Sequence, residues 1–109
     1  YEFVCGDWSS DVCSSHLMGI ANIVAVMQSG VDCFDASFGG IGGCPFVPGA
    51  AGNVATEEVL HMCDEMGIET GIDLDRVIET ARAVQELLGR DLPSSILKAG
   101  KNSDLLANR

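Results

Sequence analysis

Fifteen consecutive residues, 39–53, place the strongest constraint on what this chain can fold into. They read GGIGGCPFVPGAAGN, in which six residues are glycine and two are proline. Glycine loses more backbone entropy on folding than any other residue, and proline lacks the amide proton that helices and sheets use. We therefore predict a loop here, so the regular elements must lie on either side of it.

Hydrophobic periodicity predicts helices on both sides of this loop. Apolar residues recur at helical spacing in several segments, and glycine follows most of them at the place where a helix usually ends. Asp73 is a typical N-cap for the longest helix, and Gly89 is its expected stop. The predicted helices cover 20–27, 56–66, 74–88 and a short stretch through Ile96 and Leu97.

One strand is predicted immediately before the loop. The segment 31–38, VDCFDASF, alternates so that Phe34, Ala36 and Phe38 share one face, whereas Cys33, Asp35 and Ser37 share the other. Helix, strand, loop and helix in succession are typical of a parallel α/β sheet or barrel. A parallel strand needs neighbours to pair its backbone, so we expect the chain to be an incomplete part of such a fold.

A loop at the carboxyl end of a parallel strand is where α/β barrels carry their chemistry. It would present the thiol of Cys44 and the carbonyl oxygen of Asn53, a hard ligand suited to Mg²⁺ or Mn²⁺. The spacing equally allows a flexible linker around an inert, buried cysteine. Asp35 and Ser37 would point toward the same mouth, where Asp35 either lines a site or accepts hydrogen bonds from loop amides.

Composition excludes several classes of partner. The net charge is −10, and the six basic residues are scattered, which argues against nucleic acid and anionic membranes. No apolar run approaches the roughly 18 residues that span a bilayer. Five cysteines, without a CxxC pair, favour a reducing compartment over a disulfide framework. Because the sequence shows no transit peptide, we expect the bacterial cytoplasm rather than the mitochondrial matrix.

The first seventeen residues, YEFVCGDWSSDVCSSHL, differ from everything that follows. They lack helical or strand periodicity and contain the one Trp and the one Tyr of the chain. The run DWSSDVCSS resembles the conceptual translation of a common sequencing adapter. We therefore interpret 1–17 as a spurious, unstructured leader, with a genuine but poorly structured leader as the alternative, and 18–109 as the remainder of the protein.

The segment FDASFGGIGGCPFVPGAAGNVATEEVLHMCDEMGIETGIDLD resembles the C-terminal part of the 3-hydroxy-3-methylglutaryl-CoA lyases. The likeness runs from about 18 to 100, and GGIGGCPFVPGAAGNVATE is its most specific part. These enzymes are TIM barrels of the pyruvate-carboxyltransferase-like superfamily. The resemblance implies an incomplete C-terminal portion of a (β/α)8 barrel. It also implies a parent enzyme that uses a divalent cation, Mg²⁺ or Mn²⁺, to cleave hydroxymethylglutaryl-CoA to acetyl-CoA and acetoacetate.

The resemblance also assigns roles to individual residues. Cys44 corresponds to a catalytic cysteine that donates or accepts a proton near the acetyl-CoA enolate. Asn53 corresponds to a metal ligand, and Glu57 to a glutamate near the metal. The mobile loop that closes over substrate corresponds to Gly39, Gly40, Gly42 and Gly43.

Departures from the family pattern limit these expectations. Two metal-binding histidines of the family correspond to Asp11 and Cys13, so we expect the chain as given to be inactive. The implied partners are an acyl-CoA substrate and, for the parent, a second copy of itself. Two alternatives remain open at this point. One is a related 3-hydroxyacyl-CoA lyase or acyl-CoA condensing enzyme, and the other is a non-catalytic acidic helical module that binds a partner.

Overall fold

The structure, a computed structural model, describes residues 19–42 and 53–107. The segment 1–17, predicted to be a leader, lies outside the described residues. No helix in the described ranges combines the length and the apolar character needed to cross a membrane. The helices are α1 (Gly19–Gln28), α2 (Thr56–Glu65), α3 (Leu74–Leu88), α4 (Ser95–Ala99) and α5 (Asn102–Ala107), with a 3₁₀ turn at Phe38–Gly40.

The longest helix, α3, begins and ends at the predicted residues. The Asp73 carboxylate accepts hydrogen bonds from the backbone amides of Asp75 and Arg76, which have no partner within the helix. At the other end, Gly89 adopts φ +66° and donates its amide to the carbonyls of Gln85 and Glu86. The predicted N-cap and stop are both confirmed.

Helices α2, α3 and α4 pack around one hydrophobic cluster, which lies against the amino-terminal half of α3. Its buried members are Leu60, Leu74, Val77, Ile78 and Ile96. Met66 and Leu88 continue the helical spacing of the apolar residues before them, which predicts burial, but both are about half exposed. Both lie at the carboxyl-terminal ends of their helices, beyond this cluster. The apolar face of each helix therefore extends further than the described residues that pack against it. The helix α5 was not predicted.

The predicted strand over 31–38 is wrong for most of its length. Residues 31–36 form no regular element, and Cys33 and Ala36 are exposed. The exception is a single parallel bridge between Ser37 and Ala55, in which the Ser37 amide donates to Val54 O at 3.1 Å and Thr56 N donates to Ser37 O at 2.8 Å. A strand needs a neighbouring strand for its ladder hydrogen bonds, and within the described ranges the one β-bridge is this contact.

Candidate functional site

The two ends of the glycine-rich segment are held together by a small set of hydrogen bonds. We call residues 37–42 and 53–57 the loop stem, because they flank residues 43–52. The parallel bridge joins the two sides at its base. Three side chains add to it: Ser37 Oγ donates to Ile41 O at 2.8 Å, Asn53 Nδ2 donates to Ile41 O at 3.0 Å, and Glu57 Oε2 accepts from Gly39 N at 3.1 Å.

The side chain of Asn53 is held in one orientation by the stem. Its Nδ2 is bound to Ile41 O, which fixes the amide plane and therefore the direction of Oδ1. A β-carbon at Gly42, whose φ is +99°, would lie only 2.7 Å from Asn53 Nδ2. Because glycine has no β-carbon, residue 42 leaves room for the Asn53 amide. The other atom of that amide group, Oδ1, is the one that a hard metal ion would bind.

Gly39 is enclosed by the protein itself. It has φ +65°, and a β-carbon there would overlap Cδ1 of Leu92. Leu92 is 1% exposed, so the turn rests on a buried side chain. The space that glycine leaves at this position is filled by Leu92 and not left open for a ligand. The movement predicted for Gly39, Gly40 and Gly42 stays a prediction.

Glu57 combines full burial with a specific backbone contact. It lies in the first turn of α2, where its negative charge is favoured by the helix dipole, and it is 0% exposed. Its Oε2 accepts the Gly39 amide, whereas its Oε1 has no hydrogen-bond partner among the described residues. A buried carboxylate oxygen in this state is a candidate ligand atom or an acceptor for a group outside the described ranges.

The remaining predicted residues divide into two groups. Ser37 belongs to the stem, where its hydroxyl holds the Ile41 carbonyl and so stabilises the loop backbone. Asp35 is exposed, and most of the loop amides that it could accept from lie outside the described residues, so both of its predicted roles stay predictions. Cys44 and Gly43 lie outside the described residues.

The oxygen donors of the stem fit the chemistry of Mg²⁺ or Mn²⁺ but do not complete a site. Asn53 Oδ1 and Glu57 Oε1 are hard ligands of the kind that these cations prefer. Across the described ranges, however, no three His, Cys, Asp or Glu side chains come together as a metal-binding group. Asp11 and Cys13, which the resemblance predicts to stand at the positions of two family histidines, lie outside the described residues.

Two side chains outside the stem have a raised pKa. Burial raises the pKa of the Cys63 thiol, and the nearby Asp64 carboxylate raises it further. A hydrogen bond to Asp75 raises the pKa of Lys101, and neighbouring carboxylates act in the same direction. Neither group contributes to the loop stem, so both shifts bear on the helical part of the molecule.

Comparison with known proteins assigns the chain to a family. The HMGL-like family model matches residues 14–84, which is more than half of the chain. The chain belongs to the HMGL-like family. A hydroxymethylglutaryl-CoA lyase of Bacillus subtilis is 42% identical over 77% of this chain, and an (R)-citramalyl-CoA lyase of Chloroflexus aurantiacus is 48% identical over 75%. The HMGL-like chain spans only 28% and 26% of these two relatives.

Solved structures of HMG-CoA lyases share the arrangement of this HMGL-like chain. The enzyme from Acinetobacter baumannii, in complex with coenzyme A and 3-methylmalate, gives a TM-score of 0.74 at 50% identity. That match covers 80% of this chain and 28% of the other. The Bacillus subtilis enzyme gives 0.71 at 41% identity, covering 74% and 27%. The predicted family resemblance is therefore confirmed.

Sequence reasoning missed the burial of several side chains of this HMGL-like chain. Leu92 and Ser94 are both 1% exposed, and Glu57 was expected near a metal but not as a fully buried group. The one available signal was that Leu92 is the single large apolar residue between Gly89 and Ser95. Periodicity cannot identify such a contact, since a lone apolar residue in a connection has no repeating pattern.

Proposed function

We propose that this chain is part of a metal-dependent lyase that cleaves 3-hydroxy-3-methylglutaryl-CoA to acetyl-CoA and acetoacetate. HMGL-like membership supports a lyase over the acidic interaction module. The names of the relatives in Bacillus subtilis and Chloroflexus aurantiacus both describe acyl-CoA lyases. Because the chain spans about a quarter of their length, the activity is that of the longer enzyme, and we expect none from these residues alone.

We further propose that residues 18–109 form the C-terminal portion of a TIM barrel. The likeness to solved HMG-CoA lyases, at TM-scores of 0.74 and 0.71, supports this. The glycine-rich segment would then connect the barrel strand that ends near Ser37 with α2, the helix that follows that strand. Active sites of TIM barrels lie at the carboxyl ends of the strands, which is the position of the stem in this arrangement.

The observation that carries the proposal is the hydrogen bond from Asn53 Nδ2 to Ile41 O. It ties the candidate metal ligand to the backbone of the segment that leads into Cys44. In the sequence, Cys44 follows Ile41 by three residues. The stem therefore links a hard oxygen ligand with the segment that carries the candidate proton donor, which is the combination that this reaction needs.

Each residue has a defined part in the proposed reaction. Asn53 Oδ1 would be one ligand of Mg²⁺ or Mn²⁺, and the bound cation supplies Lewis acidity that polarises substrate oxygens. The C3 hydroxyl of the substrate loses its proton to a base, the C2–C3 bond breaks, and Cys44 delivers a proton to the acetyl carbon. Closure of the loop that includes Gly39, Gly40, Gly42 and Gly43 would exclude water during this step.

The substrate, the oligomeric state and the compartment of the parent enzyme are also part of this proposal. Coenzyme A and 3-methylmalate are bound in the Acinetobacter baumannii structure, which supports an acyl-CoA substrate here. We propose that the parent is a homodimer, as the family resemblance implies. An odd number of cysteines without a CxxC pair suits a reducing compartment, and we propose the bacterial cytoplasm rather than the mitochondrial matrix. The Chloroflexus relative makes (R)-citramalyl-CoA a second candidate substrate.

A chimeric enzyme tests the proposal. Residues 18–109 replace the matching segment of the Bacillus subtilis lyase, and cleavage of hydroxymethylglutaryl-CoA and citramalyl-CoA is measured with Mg²⁺ or Mn²⁺. We expect cleavage by the chimera. Cys44→Ser should lower kcat by about 100-fold or more and leave Mn²⁺ affinity unchanged, since it removes a proton donor and no ligand. Asn53→Ala should weaken Mn²⁺ binding.

Cys33→Ser is the matched control, because it removes an exposed thiol elsewhere in the chain. It should leave kcat and Mn²⁺ affinity unchanged. A folded chimera that cleaves neither substrate would contradict the proposed function. Equal losses of turnover and metal affinity in Cys44→Ser would show that the thiol has a structural role.

A further inference from the structure

The buried carboxylate of Glu57 occupies a place where a charge is costly. The side chain is 0% exposed, and among the described residues only one of its two oxygens has a hydrogen-bond partner. A buried polar side chain costs free energy unless it is hydrogen-bonded, so the contacts that it makes indicate why it is there. Packing alone would favour an apolar side chain of similar volume here. The carboxylate therefore needs an explanation in terms of what it binds.

The neighbouring glutamate provides the contrast. Glu58 lies in the same helical turn and is only partly buried, and its Oε1 accepts the Ser95 amide at 2.6 Å. That contact joins α2 to the start of α4 and lies outside the stem. Glu57 instead reaches back 18 residues along the chain to Gly39. Two adjacent carboxylates thus bind different parts of the molecule, and only Glu57 acts on the glycine-rich segment.

The backbone amide that Glu57 binds, that of Gly39, lies between two residues of the stem that are each held by a contact with the other side. Gly39 comes two residues after Ser37, which pairs with Ala55, and two residues before Ile41, which accepts the Asn53 amide. The φ of +65° at Gly39 sets the direction in which the chain leaves the bridge. A contact at this amide therefore controls where the Ile41 carbonyl lies, and with it the orientation of Asn53.

We infer that Glu57 is a positioning residue for the site rather than a metal ligand. Its Oε2 accepts the Gly39 amide, which holds the turn in place, so that Ile41 O and the Asn53 amide meet in the correct geometry. The link to turnover rests on the proposed lyase function. The positioning contact itself does not, because it joins two residues of the described structure.

Two conservative variants separate the possible roles. Glu57→Gln keeps an acceptor oxygen at the same reach and removes the charge, whereas Glu57→Asp keeps the charge and shortens the side chain by one methylene. If Glu57 acts as an acceptor for Gly39, glutamine should substitute for it and aspartate should not. If the charge is what matters, as for a metal ligand, the order should be reversed.

The first measurement needs no activity. Amide hydrogen exchange at Gly39 is followed by NMR in the 109-residue chain. We expect Glu57→Asp to accelerate this exchange by about 10-fold or more, with Glu57→Gln within about 3-fold of the parent. Glu58→Ala is the control, since it removes a first-turn carboxylate and should leave Gly39 unchanged. Unchanged exchange in Glu57→Asp would overturn the inference.

The second measurement uses the chimeric lyase. We expect Glu57→Asp to lower kcat by about 10-fold with little change in KM, and Glu57→Gln to retain kcat within about 3-fold. Mn²⁺ should bind Glu57→Gln as tightly as the parent enzyme. Weakened Mn²⁺ binding in Glu57→Gln together with an active Glu57→Asp would make Glu57 a ligand and refute the positioning role. An inactive parent chimera would contradict the lyase proposal, and Gly39 exchange would still decide the role of Glu57.

Discussion

The helical part of the molecule and the loop stem are built by different rules. Helices α2, α3 and α4 satisfy their backbone hydrogen bonds internally and bury a common apolar cluster. The stem has one parallel bridge and three side-chain hydrogen bonds, and each of these joins residues separated in sequence by 4 to 18 positions. The helical part therefore depends on local sequence, whereas the stem depends on residues that folding brings together.

The difference explains which elements formed as predicted. A helical pattern specifies its own hydrogen bonds, so α3 begins after Asp73 and ends at Gly89 as expected. A strand pattern specifies only which side chains share a face, and its hydrogen bonds come from another segment. Residues 31–36 have the alternation of a strand, but the one β-bridge among the described residues is formed by Ser37.

The helical cluster should show the largest response to a single substitution. Ile78 is 7% exposed within the cluster, so Ile78→Ala should lower the free energy of opening α2 and α3 by about 3 kcal/mol, because it leaves a cavity. Native-state hydrogen exchange measures this directly. Leu87→Ala is the control on the same helix, since Leu87 is 86% exposed and its loss should cost less than about 0.5 kcal/mol. Similar losses in both variants would show that the cluster is not the stabilising core.

Two glycines with the same backbone geometry compare the two regions directly. Gly39 has φ +65° in the stem and Gly89 has φ +66° at the end of α3. Each alanine substitution should cost about 1 kcal/mol in left-handed strain. Gly39→Ala should cost about 1 kcal/mol more, because its β-carbon overlaps Leu92, whereas nothing lies within 4 Å of the β-carbon position at Gly89.

Exchange of the amide nearest each site reports these costs. The exchange rate of the Thr56 amide, which donates to Ser37 O, reports the stability of the stem. The exchange rate of the amide of residue 89, which donates to Gln85 O, reports the stability of the end of α3. Equal costs at the two glycines would mean that Leu92 yields easily, and the stem would then be as adaptable as a helix terminus.

The smallest expected effect concerns two cysteines. Cys63 is 4% exposed on α2 with a raised pKa, whereas Cys33 is exposed in the segment before the stem. In a chain with Cys5, Cys13 and Cys44 replaced by serine, we expect a disulfide reagent at pH 8 to modify Cys33 about 10-fold faster or more. Comparable rates would show that α2 opens as readily as the segment 31–37.

The raised pKa of Cys63 also predicts the sign of a pH effect. A thiol whose folded pKa exceeds the unfolded value, near 9.0, contributes its full stability below that value. The contribution is lost as the pH rises through the folded pKa. Circular dichroism at 222 nm should show helix loss at alkaline pH that is smaller in Cys63→Ala. An equal loss in that variant would assign the alkaline transition to other groups.

The candidate site was only partly readable from the sequence. Asn53 was recognised because an amide oxygen after a glycine-rich loop suits a hard metal ion, and the structure shows how its amide is oriented. Glu57 was assigned a place near the metal, but its hydrogen bond to Gly39 could not be foreseen, because it joins residues 18 positions apart. The burial of Leu92 was missed for the same reason.

The sequence by itself determined four of the five helices in the described ranges and both ends of α3, since periodicity, capping residues and glycine act within a few positions of the chain. It also determined the family, through the motif that spans the loop and the start of α2. Only the tertiary structure decided that the predicted strand reduces to one bridge, that Leu92 fills the space at Gly39 and that Glu57 binds the turn. Each of these depends on two distant segments meeting, and no local pattern encodes which segments meet.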